Sequence, residues 1–573
     1  MAEARRIGAM NRLHARLSGL ARPATGFESQ PEPRSVGTDP KGRQLMAGNV
    51  AMAGHLVQAP GTALWDVKMP SAGFEDAAHG FAWLDDLAAV GTKEARALAR
   101  AWTWGWIDRY GRGSGPGWTP DLTGRRLTRL VAHALFLLSG ATPKEDRAFY
   151  RSLGKQTLFL GRRWKAAAPG QPRFEALTGL IYAGLSLKGM GGRVPAATKA
   201  LAAECAARID EEGGIPTRCP EELLEVLVLL TWSRVSLEEA EREVPTALSG
   251  AIGRVSDTLR ALRHADGGLG RFHGGGRGRT GRLDRALAES GTRAGLPRGN
   301  AMGFARMSAG RTTMLIDAAP PPTGAASARA HASTLALEIT SGRRPIVVSC
   351  GSGAPFGADW RRAGRATPSH STLEIEGHSS ARIGAGVGGE EWLTEAPREV
   401  RGQVGQSVDG IAFHGAHDGW RRSHGLTHMR QIDLGAEGRG VIGEEALSTL
   451  DVSDADRFDR RLTETGGIPV SIRFHLHPDV AAELDMGGAA VSLMPPSGEV
   501  WVFRHDGAAA LSLEPSIYLE AWRLKPRATM QIRLAARVRE PLTRFRWSLA
   551  KAQDTPTYMR DYAIEESEEL EEL

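Results

Sequence analysis

Residues Arg329–Gly377 read RAHASTLALEITSGRRPIVVSCGSGAPFGADWRRAGRATPSHSTLEIEG. Two histidines, His331 and His370, each lead directly into a β-type run, Thr334–Thr340 and Ser371–Glu376, and a third run, Pro345–Ser349, stands between them. Alternation at a period of two puts successive side chains on opposite faces of a strand, so the stretch predicts three strands joined by turns. The same period recurs outward at Thr312–Ala318, Val470–His477, Ala489–Met494, Glu499–Phe503 and Ala528–Val538. Many short strands separated by Gly, Asp and Pro indicate a large antiparallel β-sandwich, expected over residues 307–545.

Upstream the period changes. From Trp83 to His264 apolar residues fall at spacings of three and four, in runs at Lys93–Gly111, Gly124–Ser139, Lys144–Ala168, Arg173–Leu187, Ala196–Ile209, Pro220–Arg234 and Leu237–His264. Short Gly/Pro connections make consecutive helices antiparallel neighbours, so an array of helical hairpins is expected over 81–265, after an N-terminal extension and lead-in at 1–80. HADGGLGRFHGGGRGRTGR, starting at His264, has no strand-before-helix context for phosphate binding and reads as a flexible junction, with 266–306 dividing the two halves. Residues 546–573, ending in EESEELEEL, read as a solvated acidic tail.

At 573 residues the chain exceeds one ordinary core, and its 41% hydrophobic and 24% charged residues describe a globular protein in two large domains. Cys205, Cys219 and Cys350 are too scattered for a disulfide framework and favour a reducing compartment. The opening thirty residues are basic and weakly amphipathic but lack the apolar segment of a secretory signal, and no run of about 18 apolar residues occurs. No membrane span and a cytoplasmic location are therefore expected. The net charge of +6 suits an anionic glycan, although arginine-heavy codon usage gives the same balance, and no nucleic-acid-binding motif accompanies it.

The segments around the two histidines resemble the central pattern of the heparinase II/III-like family, in which an H-A-D-x-L-x-F strand, a strand ending in D-x-G and an H-N/S-T strand meet. The counterparts here are His331-Ala332-Ser333-Thr334-Leu335-Ala336-Leu337, Val347-Val348-Ser349-Cys350-Gly351 and His370-Ser371-Thr372. HDGWRRSHGLTHMRQIDL from His417, GEEAL from Gly443 and RFHLHPDV from Arg473 are further similar landmarks. The resemblance implies an α/α toroid whose cleft is closed by the sandwich. It also implies a lyase that cleaves a uronate-containing glycan by β-elimination. That reaction needs a group to neutralise the uronate carboxylate, a base for the C5 proton and an acid for the leaving oxygen.

In such lyases the toroid supplies an asparagine near an N-N-H motif and a tyrosine from an E-x-S-P-x-Y-H motif. Here Pro169–Glu175 contains neither asparagine nor histidine, and Glu222 and Leu223 stand where tyrosine and histidine would. The catalytic candidates are then His331 and His370 for protons, Arg218 for the carboxylate, and Tyr110, which ends a helix beside Gly111. Trp102, Trp106 and Trp118 with Arg125 and Arg365 are candidates for binding an acidic sugar, although helix packing explains Trp102 and Trp106 equally well. In the family the histidine pair with an intervening aspartate holds a structural zinc. Ser349 replaces that aspartate, so no cofactor is expected and zinc at His331 and His370 stays open. His475 and His477, two apart on one strand, read as surface residues. Two functions follow: a lyase acting on an acidic polysaccharide or oligosaccharide, or a lyase scaffold without its chemistry that holds a glycan or a protein.

Overall fold

A computed structural model describes residues 2–20, 24–29, 32–293, 295, 299–386, 390–521 and 523–556. Proline begins many of its helices, at Pro120–Ala132, Pro143–Arg163 and Pro220–Glu239, and at the second position of Gln171–Ser186 and Val194–Arg208. There its missing N–H is no loss and its fixed φ already suits the helix. Thr142 and Glu145 add a reciprocal capping box to the longest of them. Pro120–Ala132 packs on Gln171–Ser186 at Gly124 and Gly179, so closely that a Cβ on Gly179 would lie 2.5 Å from the Gly124 Cα. Repeated pairing of this kind curls the helices into an α/α toroid.

The toroid's centre is aromatic around one cation. Arg126 is fully buried with its guanidinium 4.0 Å above the Trp106 ring, and it donates to Gln156, to the carbonyls of His79 and Gly117, and to Thr123. Burial pulls its pKa down to about 9. His79 accepts from Trp106 Nε1 at 2.9 Å, and burial lowers its pKa to about 3.

Two sequence expectations change here. The helix expected over Leu237–His264 is divided, because the preceding helix runs on to Glu239, Glu241 takes a left-handed φ of 53°, and Pro245 precedes a new helix at Thr246–Ala261. The glycine-rich segment is no flexible junction either: Arg271, Phe272 and His273 are buried in it, and Arg282–Ser290 is helical. Its glycines allow close approach, since a Cβ on Gly275 would meet Cys219 Sγ at 2.9 Å.

The second half is antiparallel throughout. One eight-stranded sheet runs Val400–Ser407, Gly410–Trp420, Leu426–Gly435, Gly440–Ser448, Leu542–Gln553, Val500–His505, Ala490–Met494, Ala481–Asp485. The other runs Ala510–Tyr518, Arg527–Val538, Ile468–Leu476, Arg344–Val348, Leu337–Ser341, Thr312–Asp317, Phe304–Ala309, with Leu373–Ile375 paired to Ile468–Leu476. The last strand continues through 545 to Gln553, while the acidic run at 565–573 lies outside the described residues. Inside the sandwich Glu445, wholly buried, accepts from Arg430 Nε at 2.8 Å, pairs with His428 Nε2 at 2.8 Å and accepts from Trp547 Nε1 at 3.1 Å. Burial alone would raise its pKa, but Arg430 and His428 hold it down to about 2.

Glu445→Ala should cost roughly 3–5 kcal/mol, because it leaves Arg430 buried without its counter-charge. Asp554→Ala, which removes an exposed pair with Arg439, should change stability by less than about 1 kcal/mol. Urea titration of both variants checks the contrast. A second expectation concerns pH. His79 and His424, lowered chiefly by burial to about 3 and about 4, are neutral in the fold at pH 6.5, where the unfolded chain begins to bind protons. Their contribution is complete above pH 6.5 and falls with acidification, by at most about 1.4 kcal/mol per pH unit per group. The urea midpoint should therefore drop between pH 7 and pH 5, and a flat or rising midpoint would contradict the buried-neutral assignment.

Candidate functional site

His331 and His370 come together as their placement before converging strands requires, with ring centroids 5.1 Å apart. Each sits in the connection leading into its strand, not on the strand itself. The His331 backbone N–H donates to His273 Nδ1 at 3.2 Å, and His273 Nε2 stands 3.4 Å from Asp317. Asp317 also accepts from Ser333 Oγ at 2.7 Å and from Arg218 at 2.6 Å. One buried cluster thus joins the helical half through Arg218, the glycine-rich segment through His273 and the sandwich through Asp317 and His331. Sequence reasoning missed His273 and Asp317. The first lay in a supposed linker; the second closes the Thr312–Ala318 run as an inward-facing carboxylate at a strand end, which was the one available signal.

Arg218 is fully engaged. Its Nε donates to the Met302 carbonyl, Nη1 to those of Ala319 and Pro320, and Nη2 to that of Gly303 and to Asp317. All five guanidinium N–H groups have protein acceptors, so none is left for a uronate carboxylate. The backbone of Arg218 holds a left-handed φ of 49° to deliver this side chain. Burial would raise Asp317, but Arg218 and His273 keep its carboxyl well below the usual range. His370 is lowered to about 3 by burial and by His475, and His331 well below 6.5 by burial, His370 and His273. Both rings are neutral and only 0–1% exposed, and His331 Nδ1 and both nitrogens of His370 have no hydrogen-bond partner.

That pair does not make the inherited metal site. Ser349 Oγ, in the aspartate's place, is a poor zinc ligand and is itself unpartnered, and among the described residues no three His, Cys, Asp or Glu side chains are placed to hold a metal ion. The neighbouring Cys350 Sγ turns to His475 Nδ1 at 3.5 Å; burial pushes its thiol up, but His475, Ser516 and Arg271 together bring it below its ordinary value. His475 and His477 are buried, contrary to the surface expectation, because their strand is central in its sheet and both its faces are covered. His475 bonds Ser516 Oγ at 2.7 Å and the Pro368 carbonyl at 2.9 Å, while His477 packs on Tyr518 at 4.9 Å.

Of the remaining candidates only Arg365 borders the cluster, its carbonyl accepting from Ala332 N–H and its charge helping to lower His331. Trp102, Trp106 and Trp118 are 3%, 0% and 2% exposed, so their faces belong to the toroid's core and cannot stack on a sugar. Tyr110 is half-buried against His79 and Trp65, at 4.9 and 5.7 Å between ring centres. Arg125 pairs with Glu175 at 2.8 Å, and buried Arg365 donates to the carbonyls of Ala330, Ser327 and Glu391. None of them shares a partner with His331 or His370. Glu222, at the family's tyrosine position, has its carboxyl pushed up by burial.

The two halves are also latched on the side where a cleft would open. The hairpin Asn49–Met52/His55–Gln58 reaches from the helical half to the sandwich, and a Cβ on its Gly54 would lie 2.2 Å from the Pro355 carbonyl oxygen. A cleft of about 340 Å³ remains behind the hairpin, beside Trp83, Asp86, Glu221 and Arg279, and one of about 470 Å³ lies beside Arg218. His331 and His370 line neither.

Residues 291–548 match the family model Heparinase II/III-like, C-terminal. The chain is 32% identical over 548 residues to FtsZ-localized protein C of Caulobacter vibrioides (strain NA1000 / CB15N), covering 93% of this chain and 92% of that protein. Among solved structures it is similar to heparinase III, at a TM-score of 0.69 and 12% identity over 94% of this chain and 89% of that one. A second similarity is to heparan sulfate lyase HepC from Pedobacter heparinus, at 0.56 and 13% over 96% and 89%. At such identities the structures speak for the fold alone, a toroid closed by a β-sandwich, and with the family model and the full-length relative they place this chain in the heparinase II/III-like family.

Proposed function

We propose that this chain is a lyase-type scaffold that works by binding a protein partner, and that it localises with FtsZ, as the name of its 32% identical relative states for that protein. The observation that carries the proposal is the use of Arg218: this candidate for neutralising a uronate carboxylate already donates all its N–H groups to backbone carbonyls and to Asp317. Uronate C5 protons are too weakly acidic to be removed without such neutralisation. The histidines that would move protons are neutral and buried, and they line neither of the two clefts described above. Glu222 and Leu223 in place of tyrosine and histidine point the same way. No helix among the described residues is long and apolar enough to cross a membrane.

The competing function is β-elimination on an acidic glycan, which leaves a C4–C5 double bond absorbing in the ultraviolet. The purified protein, incubated with a panel of uronate polysaccharides, should give no absorbance rise above the no-enzyme control. A rise that His331→Ala or His370→Ala reduces about 100-fold or more would restore the lyase reading. In parallel, a fluorescent fusion should collect at FtsZ assemblies in dividing cells and the purified protein should co-sediment with FtsZ polymers. Diffuse fluorescence together with no co-sedimentation would remove FtsZ from the proposal.

A further inference from the structure

The sandwich carries a groove of about 1060 Å³ that neither His331 nor His370 lines. It is built by separate stretches: the end of the helix Ala358–Gly364, the segments Gly377–Ile383 and Thr394–Arg398, the turn between Gly410–Trp420 and Leu426–Gly435, and the helix Val452–Thr465 with its cap Asp451. Seven arginines and four carboxylates line it, with no Phe, Tyr or Trp. Pockets enclosing drug-sized ligands run to about 1,000 Å³, so this one takes a length of polymer and not a single ion.

The charges in it are not balanced. Asp451 caps Asp454 N–H and pairs with Arg421; Asp454 pairs with Arg421 and Arg457. Asp418 accepts from the backbone N–H groups of Arg398 and Glu399, and Glu395 stands 3.7 Å from Arg382. Arg362 and Arg461 are paired outside the lining, with Glu391 and Glu464. That leaves Arg398 and Arg422, both exposed, with guanidinium groups that contact no partner among the described residues. Two guanidinium groups without partners on a concave, net-positive wall attract carboxylates, which each can hold in paired hydrogen bonds.

We infer that this groove docks an extended acidic peptide segment of a partner protein, with Arg398 and Arg422 receiving its carboxylates. Charge complementarity names the occupant's sign, and the lining names its class. Sugar rings are gripped by aromatic faces, which the groove lacks, whereas a peptide with spaced Glu or Asp needs only guanidinium forks and hydroxyls such as Ser379, Thr394 and Ser453.

The inference rests on the binding-protein reading, and its test uses a different ligand from FtsZ. A fluorescein-labelled peptide with alternating glutamates is titrated with the full-length protein, with anisotropy read at low and at moderate salt. Saturable, salt-weakened binding is expected, with Arg398→Glu/Arg422→Glu lowering affinity about tenfold or more and flattening the salt dependence. Arg151→Glu/Arg242→Glu, the same change in net charge on exposed helical-half positions, should leave affinity within about twofold, and circular dichroism confirms that both variants are folded. Equal losses in the two double variants would overturn the inference, as would a uronate oligosaccharide that binds the groove while the peptide does not. Peptide binding that persists in the groove while co-sedimentation with FtsZ fails would refute the FtsZ reading alone.

Discussion

The pairing of Arg218 with Asp317 is the constraint around which the rest of this molecule is arranged. A guanidinium from the helical half is inserted into the sandwich and meets a carboxylate with no solvent exposure. Alone, either charge would be very costly to bury; together, with His273, Ser333 and four backbone carbonyls completing their hydrogen bonds, they are stable. The pair therefore fixes the distance and angle between toroid and sandwich. His264 with Glu338, and Arg271 with the carbonyls of Ser349, Cys350 and Leu519, continue the same seam. The hairpin at Gly54 closes its other side.

This seam occupies the residues that the sequence offers for elimination chemistry. Elimination between two domains needs charged and proton-carrying groups held at a surface that substrate can reach. Here the residue types suited to that work are present but have been drawn into the joint: the arginine braces, the histidines lose their protons to burial, and the aspartate of the metal pattern has become Ser349.

How much of this was legible follows from what the sequence pattern encodes. Periodicity reports which face of an element is buried, so the helical half, the strands at Thr312–Asp317, Ile468–Leu476 and Arg527–Val538, and the change of texture between the halves could be read directly. The strands from Val400 to Ser448 could not, because the first of them is largely exposed and all are threaded with glycine and charge. Proximity of His331 to His370 was legible through the family pattern, whereas partners were not: nothing in Arg218's neighbourhood in sequence announces an aspartate 99 residues later. Glycine misled most. Gly274 and Gly275 resemble a loose linker in sequence, yet Gly274 holds a φ of +85° against Arg329 and Gly275 allows an approach to Cys219 Sγ that a Cβ would crowd at 2.9 Å.

The same separation has a consequence during synthesis. A ribosome finishes the helical half well before it reaches Asp317, and at about 5–20 residues per second the interval between Arg218 and its carboxylate is roughly 5–20 s. Throughout that interval the nascent toroid carries an unneutralised cation at the surface it will later bury, together with His264, whose partner Glu338 also comes later. The joint between the two halves is thus completed only once the strand Thr312–Asp317 has been made and docked.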